Sequence, residues 1–344
     1  MNGGLRQSDP NEPGILRRRR GRGFSYHLPG GEPVRDAETL ARIRALAVPP
    51  AWTEVWICAS PDGHLQAIGT DAAGRRQYRY HDVWREQQDR LKFEHVLEVA
   101  EKLPAFRETV AGHLAGRGLT RHRVLAAAAR ILDTGFLRVG GAEYTDSFGL
   151  ATLRTEHVRA SNGVIACRYP GKGGKPHETI LTDRDVCKVI RALLARPNPG
   201  PELLRYRDAR AGWHDVTSDD VNDYLKEVFG GEVTAKDFRT WHATVLAAVG
   251  LAVSARASRR PVARRRAVAR VVAEVADYLG NTPAVARASY VDPRVIDRYE
   301  QGETIGLAGL TGLADGDSVL ATHGEPEQAV IKLLRAAPWP EPVT

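Results

Sequence analysis

Three scarcities in the sequence each exclude a class of protein. The three cysteines among 344 residues, Cys58, Cys167 and Cys187, are scattered and odd in number, which excludes a disulfide framework and shows no paired metal-ligand spacing. No segment approaches the roughly 20 consecutive apolar residues that a membrane-spanning helix needs. The first residues, rich in Gly, Asn, Pro and Arg, lack the apolar stretch of a signal peptide. These absences predict a cytoplasmic protein with reduced thiols.

Lysine is also scarce, with 8 Lys against 41 Arg, although the net charge is +7. An excess of cations favours a polyanionic partner, because neutralising phosphates releases condensed counterions. Ribosome-associated and membrane-surface proteins share this bias, so charge alone does not identify the partner. The scarcity makes any lysine in a conspicuous turn more informative.

The N-terminal part of the chain has strand character. Residues 1–22 are expected to form a flexible basic arm, because Arg17–Arg20 is a run of like charge. Residues 23–90 are expected to form a small β-rich domain, in which turn residues separate the strands WICAS, LQAIG and RQYRYH. The last strand mixes guanidiniums with aromatic rings. That pattern suits a phosphate backbone, and it equally suits a strand with one solvated and one buried face.

After residue 90 the apolar period becomes helical, which predicts an α+β protein with a larger, mainly α-helical domain over 91–314. A short three-stranded antiparallel sheet is expected within it, at 150–158, 163–171 and 177–183, with the turn GKGGKP joining the last two strands. A C-terminal helix and tail follow over 315–344. Gly280 is expected to end the helix 261–279 in the left-handed conformation, and Thr282 and Asp292 are expected to cap the two helices that follow. The helices are expected at 92–118 (broken near Pro104), 121–134, 184–196, 219–229, 239–255 and 261–279, then from Pro283 through Tyr290 and from Pro293 to near Gly302.

Two tempting motifs fail on their spacing. The cluster GKGGKPHE is not a nucleotide-binding loop, because neither lysine is followed by Ser or Thr and the flanking segments are strands. The pair His177-Glu178 lacks the second histidine that a zinc-binding helix requires. The sequence therefore predicts no cofactor and no metal.

Five dispersed residues remain as candidates: Arg138, Lys172, Arg239, Asn281 and Tyr290. Arg138 follows a helix, Lys172 occupies the hairpin turn, Arg239 is expected to open a helix, and Asn281 precedes Tyr290 by nine residues across a helix junction. Each alone has an ordinary explanation as a surface cation, a solvated turn or a packing residue.

Together, the segments around them resemble a known family. GFLRVGGAEY, FGLATLRTEHV, YPGKGGKPHE, KDFRTWH and LGNTPAVARASYVDPRVIDRY are similar to segments of type IB DNA topoisomerases of the poxvirus and bacterial kind, in the same order and at compatible spacings. GTDAAGRRQYRYHD is similar to a signature of the family's N-terminal domain. The resemblance covers residues 24–305.

The resemblance implies a chemistry for the five residues. Tyr290 would be the nucleophile that forms a 3′-phosphotyrosyl intermediate, and Arg138 and Arg239 would hold the non-bridging oxygens of the phosphate. Lys172 would be the general acid for the departing 5′-oxygen. Asn281 stands where many relatives have His, so it can donate a hydrogen bond but cannot shuttle a proton. No metal or ATP would be needed.

Two points follow from the resemblance less directly. Counting from the LATL segment favours Lys172 over Lys175 as the general acid, and Lys175 stays open as the alternative. Further contacts to DNA are expected from Arg75, Arg76, Gln77, Tyr78, Tyr144 and Lys236. The expected partner is double-stranded DNA, clamped by a monomer, and the expected location is the cytoplasm, in association with the nucleoid.

Two other functions compete with this interpretation. A tyrosine recombinase would share the fold and most of the chemistry, but it usually has His three residues before the second arginine, where this chain has Lys236. Its N-terminal domain also tends to be helical. A DNA-binding protein that keeps the fold without the reaction would be expected to have lost a catalytic position, whereas all five carry competent residues.

Overall fold

A computed structural model describes residues 4–135, 137–141, 148–171, 176–197, 200–210, 212–255, 260–306, 322–337 and 339. The chain divides into two compact units, an N-terminal unit (Met1–Lys92) and a helical unit (Phe93–Pro340). The predicted α+β class is confirmed, with a β-sheet in the first unit and mostly helices in the second. None of the helices in the described part of the chain combines the length and apolar character of a membrane span.

The N-terminal unit is built on one antiparallel sheet of five strands in the order β2-β1-β3-β4-β5. A short helix, α1 (Ala37–Ala45), lies between the second and third strands in the sequence and was not predicted. Its Asp36 cap accepts a hydrogen bond from the Thr39 amide. The strands are β1 (Ile15–Arg20), β2 (Gly23–His27), β3 (Thr53–Ile57), β4 (Leu65–Thr70) and β5 (Arg76–Tyr80).

The expectation of a flexible arm is wrong for Ile15–Arg20, which form β1 between β2 and β3. Ile15 is buried in the core of the unit, and the Arg17 guanidinium lies 4.2 Å from the Phe24 ring centroid. Arg17 also donates to the carbonyls of Val48 and Trp52, at 3.2 and 2.6 Å. Part of the basic run therefore serves the fold, because its charge is satisfied by carbonyl groups of the same unit.

The helical unit contains eight of the helices that the structure describes and most of a ninth, α2, which begins at Asp82 in the N-terminal unit. The long helix α2 continues through Pro104, so the predicted break is wrong. Proline removes one backbone donor, but Leu103 and Phe106 on either side are buried, and this packing holds both turns in place. The helices are α2 (Asp82–Leu114), α3 (Arg121–Gly135), α4 (Arg184–Leu194), α5 (Ser218–Phe229), α6 (Ala235–Ala255), α7 (Pro261–Leu279), α8 (Pro283–Ser289), α9 (Pro293–Gln301) and α10 (Glu325–Arg335).

A three-stranded antiparallel sheet, β6-β7-β8, lies in the same unit, as predicted, but the position predicted for its first strand, 150–158, is wrong. The strand covers Val158–Ser161 and shares only Val158 with the prediction. Residues 150–152 and 155–157 form single 3-10 turns instead. The amides of Leu150 and Ala151 donate to the carbonyls of Arg138 and Val139 rather than to a neighbouring strand. The strands are β6 (Val158–Ser161), β7 (Val164–Pro170) and β8 (Pro176–Thr182), followed by an unpredicted two-stranded sheet of β9 (Arg205–Arg207) and β10 (Trp213–Asp215).

A buried ion-pair cluster attaches α10 to the rest of the helical unit. Arg107 on α2 donates to both oxygens of Asp133 on α3, at 2.8 and 2.9 Å, and to both oxygens of Glu327, at 2.6 and 3.0 Å. The Trp241 indole donates to Glu327 at 2.8 Å. Burial opposes ionisation of Asp133, but hydrogen bonds from His323 and Arg107 keep its pKa well below the ordinary value. One guanidinium therefore compensates two buried carboxylates.

Replacing Arg107 by alanine should reduce the free energy of unfolding by about 3–5 kcal/mol, because it leaves two buried carboxylates uncompensated. Urea denaturation followed by circular dichroism measures the change. Lys102→Ala, at an exposed position of the same helix, should change stability by no more than about 0.5 kcal/mol. A loss below about 1 kcal/mol for Arg107→Ala would show that the cluster does not stabilise the fold.

Candidate active site

Arg138 lies on a segment that folds back against the turn preceding β6. The segment is held by the Leu150 amide, which donates to the Arg138 carbonyl at 2.8 Å. Gly140 and Gly149 bring the two backbones into contact, because a Cβ on Gly149 would lie 2.4 Å from the Gly140 nitrogen. Gly140 also has a positive φ of 80°. The absence of a side chain at both positions therefore allows the backbone of the GFLRVGG segment to pack directly against that of the FGLATL segment.

The Arg138 guanidinium binds the loop between α7 and α8. Its Nη2 donates to the Gly280 carbonyl at 2.9 Å and to the Asn281 Oδ1 at 2.7 Å. Gly280 ends α7 in the left-handed conformation, as predicted, with φ of 60°. Because Oδ1 accepts from Arg138, the amide nitrogen Nδ2 of Asn281 is oriented as a donor, and it is buried without an acceptor among the described residues. This unsatisfied donor belongs to a residue that lines the cavity described below.

Arg239 is part of α6, but it does not open the helix as predicted. The helix begins four residues earlier, at Ala235, where Thr234 and Asp237 form the cap. Arg239 is only 5% exposed and donates to the Leu279 carbonyl at 2.8 Å. Burial, opposed by the Tyr290 phenol and reinforced by Arg138, lowers the pKa of Arg239 to about 10. The side chain is therefore still a cation at neutral pH.

Tyr290 is the C-cap of α8 and follows its last helical residue, so the prediction that the helix contains Tyr290 is wrong. Its amide donates to the Ala286 carbonyl at 3.0 Å, and its carbonyl accepts from the Thr244 hydroxyl at 3.2 Å. The same hydroxyl accepts from the Asp292 amide at 3.1 Å. Thr244 lies on α6, so this helix holds the backbone of Tyr290 and carries Arg239, whose guanidinium carbon lies 5.5 Å from the Tyr290 ring centroid.

A cavity of about 470 Å³ opens between these elements, lined by Arg138, Arg239 and Asn281 among others. Tyr290 lies outside this lining, with its ring against Arg239. Tyr169 and His177 also line the cavity and were not predicted as site residues. The signal in the sequence was their spacing, because each lies four residues from Gly173 in the predicted hairpin, and the two pair across β7 and β8.

Tyr169 and His177 add no charge to the cavity near neutral pH. Burial raises the pKa of the Tyr169 phenol, which stays protonated. Burial and the nearby charges of Arg239 and Arg138 lower the pKa of His177, which is therefore neutral. The cavity thus presents two guanidiniums and an amide donor, and the carboxylate of Asp277 also belongs to its lining. The two guanidiniums give the cavity an excess of positive charge, which suits a phosphate group.

Lys172, its alternative Lys175 and the predicted contact Tyr144 lie outside the described residues. The ends of the turn that contains both lysines are described, because Pro170 pairs with Pro176 across the hairpin. Gly171 and Pro176 line the cavity. Both described ends of the turn therefore lie at the cavity.

The predicted contacts in the N-terminal unit lie along β5 and the turn before it. Arg75 and Gln77 both bind Asp71, whose pKa is lowered to about 2, chiefly by the hydrogen bond from the Arg75 amide. Arg76 and Tyr78 are exposed and, two residues apart on a strand, share one face. In the helical unit, the predicted contact Lys236 is exposed in the first turn of α6.

Comparisons with known proteins match most of the chain. The family model described as eukaryotic DNA topoisomerase I, catalytic core, matches residues 81–304, and that of the bacterial DNA topoisomerase IB N-terminal domain matches residues 23–71. DNA topoisomerase 1B of Acanthamoeba polyphaga mimivirus is 29% identical over 83% of this chain and 88% of its own length. DNA topoisomerase 1B of vaccinia virus (strain Copenhagen) is 20% identical over 74% of this chain and 79% of its own length.

A solved structure of the XerH site-specific recombinase, bound to palindromic difH substrate in a post-cleavage complex, is also matched. The TM-score is 0.37 and the identity 14%, over 59% of this chain and 50% of that one.

Proposed function

Because the chain belongs to the type IB DNA topoisomerase family, we propose that it relaxes supercoiled DNA by cutting one strand at Tyr290, letting the duplex swivel and resealing the strand. The enzyme is an isomerase that acts on DNA. One observation carries the proposal for the site. Arg138, Arg239 and Asn281 come from three separated segments and line one cavity, with Tyr290 against Arg239.

The cleavage step exchanges one phosphodiester for another. The Tyr290 oxygen attacks the phosphorus and loses its proton to water, while the bond between phosphorus and the 5′-oxygen breaks and the 5′-oxygen is protonated. The products are a 3′-phosphotyrosyl link and a free 5′-hydroxyl. Because the energy of the phosphodiester is kept in the new bond, attack by the 5′-hydroxyl reverses the step without ATP. Rotation of the duplex before resealing releases supercoils.

Arg138, Arg239 and Asn281 would stabilise the transition state, in which negative charge grows on the non-bridging oxygens. Two guanidiniums provide planar, permanently charged donors, so this stabilisation requires no metal ion. The buried Nδ2 of Asn281 adds a neutral donor. The bond from Arg138 to Asn281 Oδ1 orients that donor before DNA binds, so little reorganisation is needed.

The departing 5′-oxygen needs a proton, and we assign this role to Lys172. Lys172→Ala should slow single-turnover cleavage by about 10²- to 10⁴-fold, because an alkoxide is a poor leaving group. A substrate with a 5′-bridging phosphorothiolate should largely restore the rate, since a thiolate leaves without a proton. Lys175→Ala is the matched control and should show neither the defect nor the rescue. If Lys175→Ala is the rescued variant, the general acid is Lys175.

The test of the function is relaxation of a supercoiled plasmid in EDTA without ATP. The wild-type protein should relax the plasmid under these conditions, and a duplex interrupted just after the cleavage site should trap a covalent adduct. Mass spectrometry of the digested adduct should place the DNA on Tyr290. A protein that acts only on paired specific sites would instead be a recombinase, and one that binds the plasmid without relaxing it would be a non-enzymatic DNA-binding protein.

We further propose that the protein works as a monomer that clamps double-stranded DNA in the cytoplasm, in association with the nucleoid. The predicted contacts in the N-terminal unit support a share in DNA binding for that unit, because Arg76 and Tyr78 present a guanidinium and an aromatic ring on one exposed face. Phosphate contacts of this kind predict an affinity that falls steeply with salt.

A further inference from the structure

Helix α7 has an uneven distribution of charge that the proposed reaction does not use. Its first ten residues contain four arginines and no acidic residue, whereas its last nine contain Glu274 and Asp277 and no basic residue. The acidic half ends at the cavity, which Asp277 and Leu279 line. A general abundance of arginine would not by itself separate the two signs along one helix.

The basic half of α7 forms one side of a second cleft, also of about 470 Å³. The cleft is lined by Arg260, Arg266 and Arg270 together with Ser254 on α6, and by no acidic residue among those described. Three guanidiniums around one cleft repel one another, and an anion bound between them would reduce this repulsion.

Two arginines of this cleft, Arg266 and Arg270, differ from arginines that the fold uses elsewhere. Arg264, on the same helix, is engaged by the Glu300 carbonyl at 2.6 Å, and Arg335 binds Glu101 at 2.7 Å. Arg266 is exposed, with no hydrogen bond or ion pair to a described residue. The ion pair of Arg270 with Glu274 is long, at 3.9 Å, and both side chains are about 60% exposed, so it holds Arg270 weakly.

Ser254 gives Arg270 a defined direction. The Ser254 hydroxyl donates to the Gly250 carbonyl at 2.7 Å and accepts from Arg270 Nη2 at 2.9 Å. The side chain is therefore held across the cleft from α7 toward α6. It retains other N–H donors for a ligand, because a guanidinium has five.

The cleft and the cavity lie toward opposite ends of α7, and the length of the helix between them is shorter than one turn of duplex DNA. With a rise of 1.5 Å per residue, the 14 residues from Arg266 to Gly280 span about 21 Å. At 3.4 Å per base pair, this equals about six base pairs. One duplex that places a phosphate in the cavity is long enough to place another at the cleft.

We propose that the cleft formed by Arg260, Arg266, Arg270 and Ser254 binds the phosphate backbone of the cleaved duplex, about six base pairs from the scissile phosphate. This inference rests on the proposed function, because that function places the scissile phosphate in the cavity. The cleft binds DNA through backbone charge alone, so it adds affinity without sequence preference. Its contribution depends on the length of the duplex that flanks the cleavage site.

The test compares Arg266→Ala/Arg270→Ala with the wild-type protein on two duplexes. One extends four base pairs on each side of the cleavage site and the other extends fifteen. On the long duplex, the dissociation constant of the variant should rise on the order of tenfold at 150 mM salt. The logarithm of the binding constant should also depend less steeply on the logarithm of the salt concentration, with a slope smaller in magnitude by about 2, since each lost phosphate contact removes about 0.9. On the short duplex, both proteins should bind and cleave alike.

Arg117→Ala/Arg191→Ala is the matched control, because it removes the same charge at exposed positions outside the cleft. Equal losses in the control pair, an unchanged salt slope on the long duplex, or an equal defect on the short duplex would each overturn the proposal. Failure of the wild-type protein to cleave even the long duplex would instead count against the proposed function, since binding to DNA is measured separately.

Discussion

Replacement of Tyr290 by phenylalanine should abolish plasmid relaxation and adduct formation while leaving the affinity for duplex DNA within about twofold of wild type. The substitution removes only the nucleophilic oxygen. The ring beside Arg239 and the backbone bonds to Ala286 and Thr244 are retained. Gel-based relaxation and fluorescence anisotropy with a labelled duplex measure the two properties.

Tyr206→Phe provides the control, since this tyrosine lies on β9 beside His214 and does not line the cavity. It should relax plasmid at the wild-type rate. Relaxation by the Tyr290 variant at more than a trace level would remove Tyr290 as the nucleophile. A loss of DNA binding in that variant would mean that the phenol contributes to binding rather than to the reaction alone.

Replacement of Arg239 by alanine should reduce the single-turnover cleavage rate at saturating DNA by about 10²- to 10³-fold or more, the range found when one preorganised donor to a developing oxyanion is removed. Arg239→Lys should recover only part of the rate. A lysine keeps the charge but lacks the planar fork, and its pKa should fall in a site where burial already lowers the pKa of the arginine to about 10.

Arg287→Lys is the control for Arg239, because it lies in the last turn of α8, three residues before Tyr290, and is exposed outside the cavity. It should cleave at the wild-type rate. Arg239 would have no role in the reaction if the alanine and lysine variants both lost less than about fivefold. Thermal unfolding of each variant would separate a loss of folding from a loss of chemistry.

Many element boundaries could be read from the sequence because they depend on short-range backbone preferences. Pro261 at the start of α7, Gly280 at its end, Thr282 before α8 and Asp292 before α9 all occupy the predicted capping positions. A left-handed glycine or a capping side chain acts within one turn of its own backbone, so neighbouring residues in the sequence are enough to predict it. The resemblance added which of the dispersed residues to consider together.

Packing between segments that are distant in the sequence determined the features that local sequence patterns predicted wrongly. The sequence predicts a solvated arm at the arginine run 17–20, but burial of Ile15 in the core makes this segment a strand. The sequence also predicts a break at Pro104, but the packing of the turns on both sides keeps the helix continuous. Whether such a segment is a strand or a continuous helix depends on contacts with residues far away in the sequence, which local helix and strand propensities do not include.

The candidate site shows the same division. The types of its residues, two arginines, an asparagine and a tyrosine, were evident in the sequence. Their geometry depends on bonds across long separations, from Arg138 to Asn281 over 143 residues and from Thr244 to Tyr290 over 46. Only the folded chain satisfies these donors and acceptors together, and only then does the Asn281 amide have one end occupied and the other available to a ligand. The sequence by itself therefore determined the chemical groups, and the tertiary structure determined where they point.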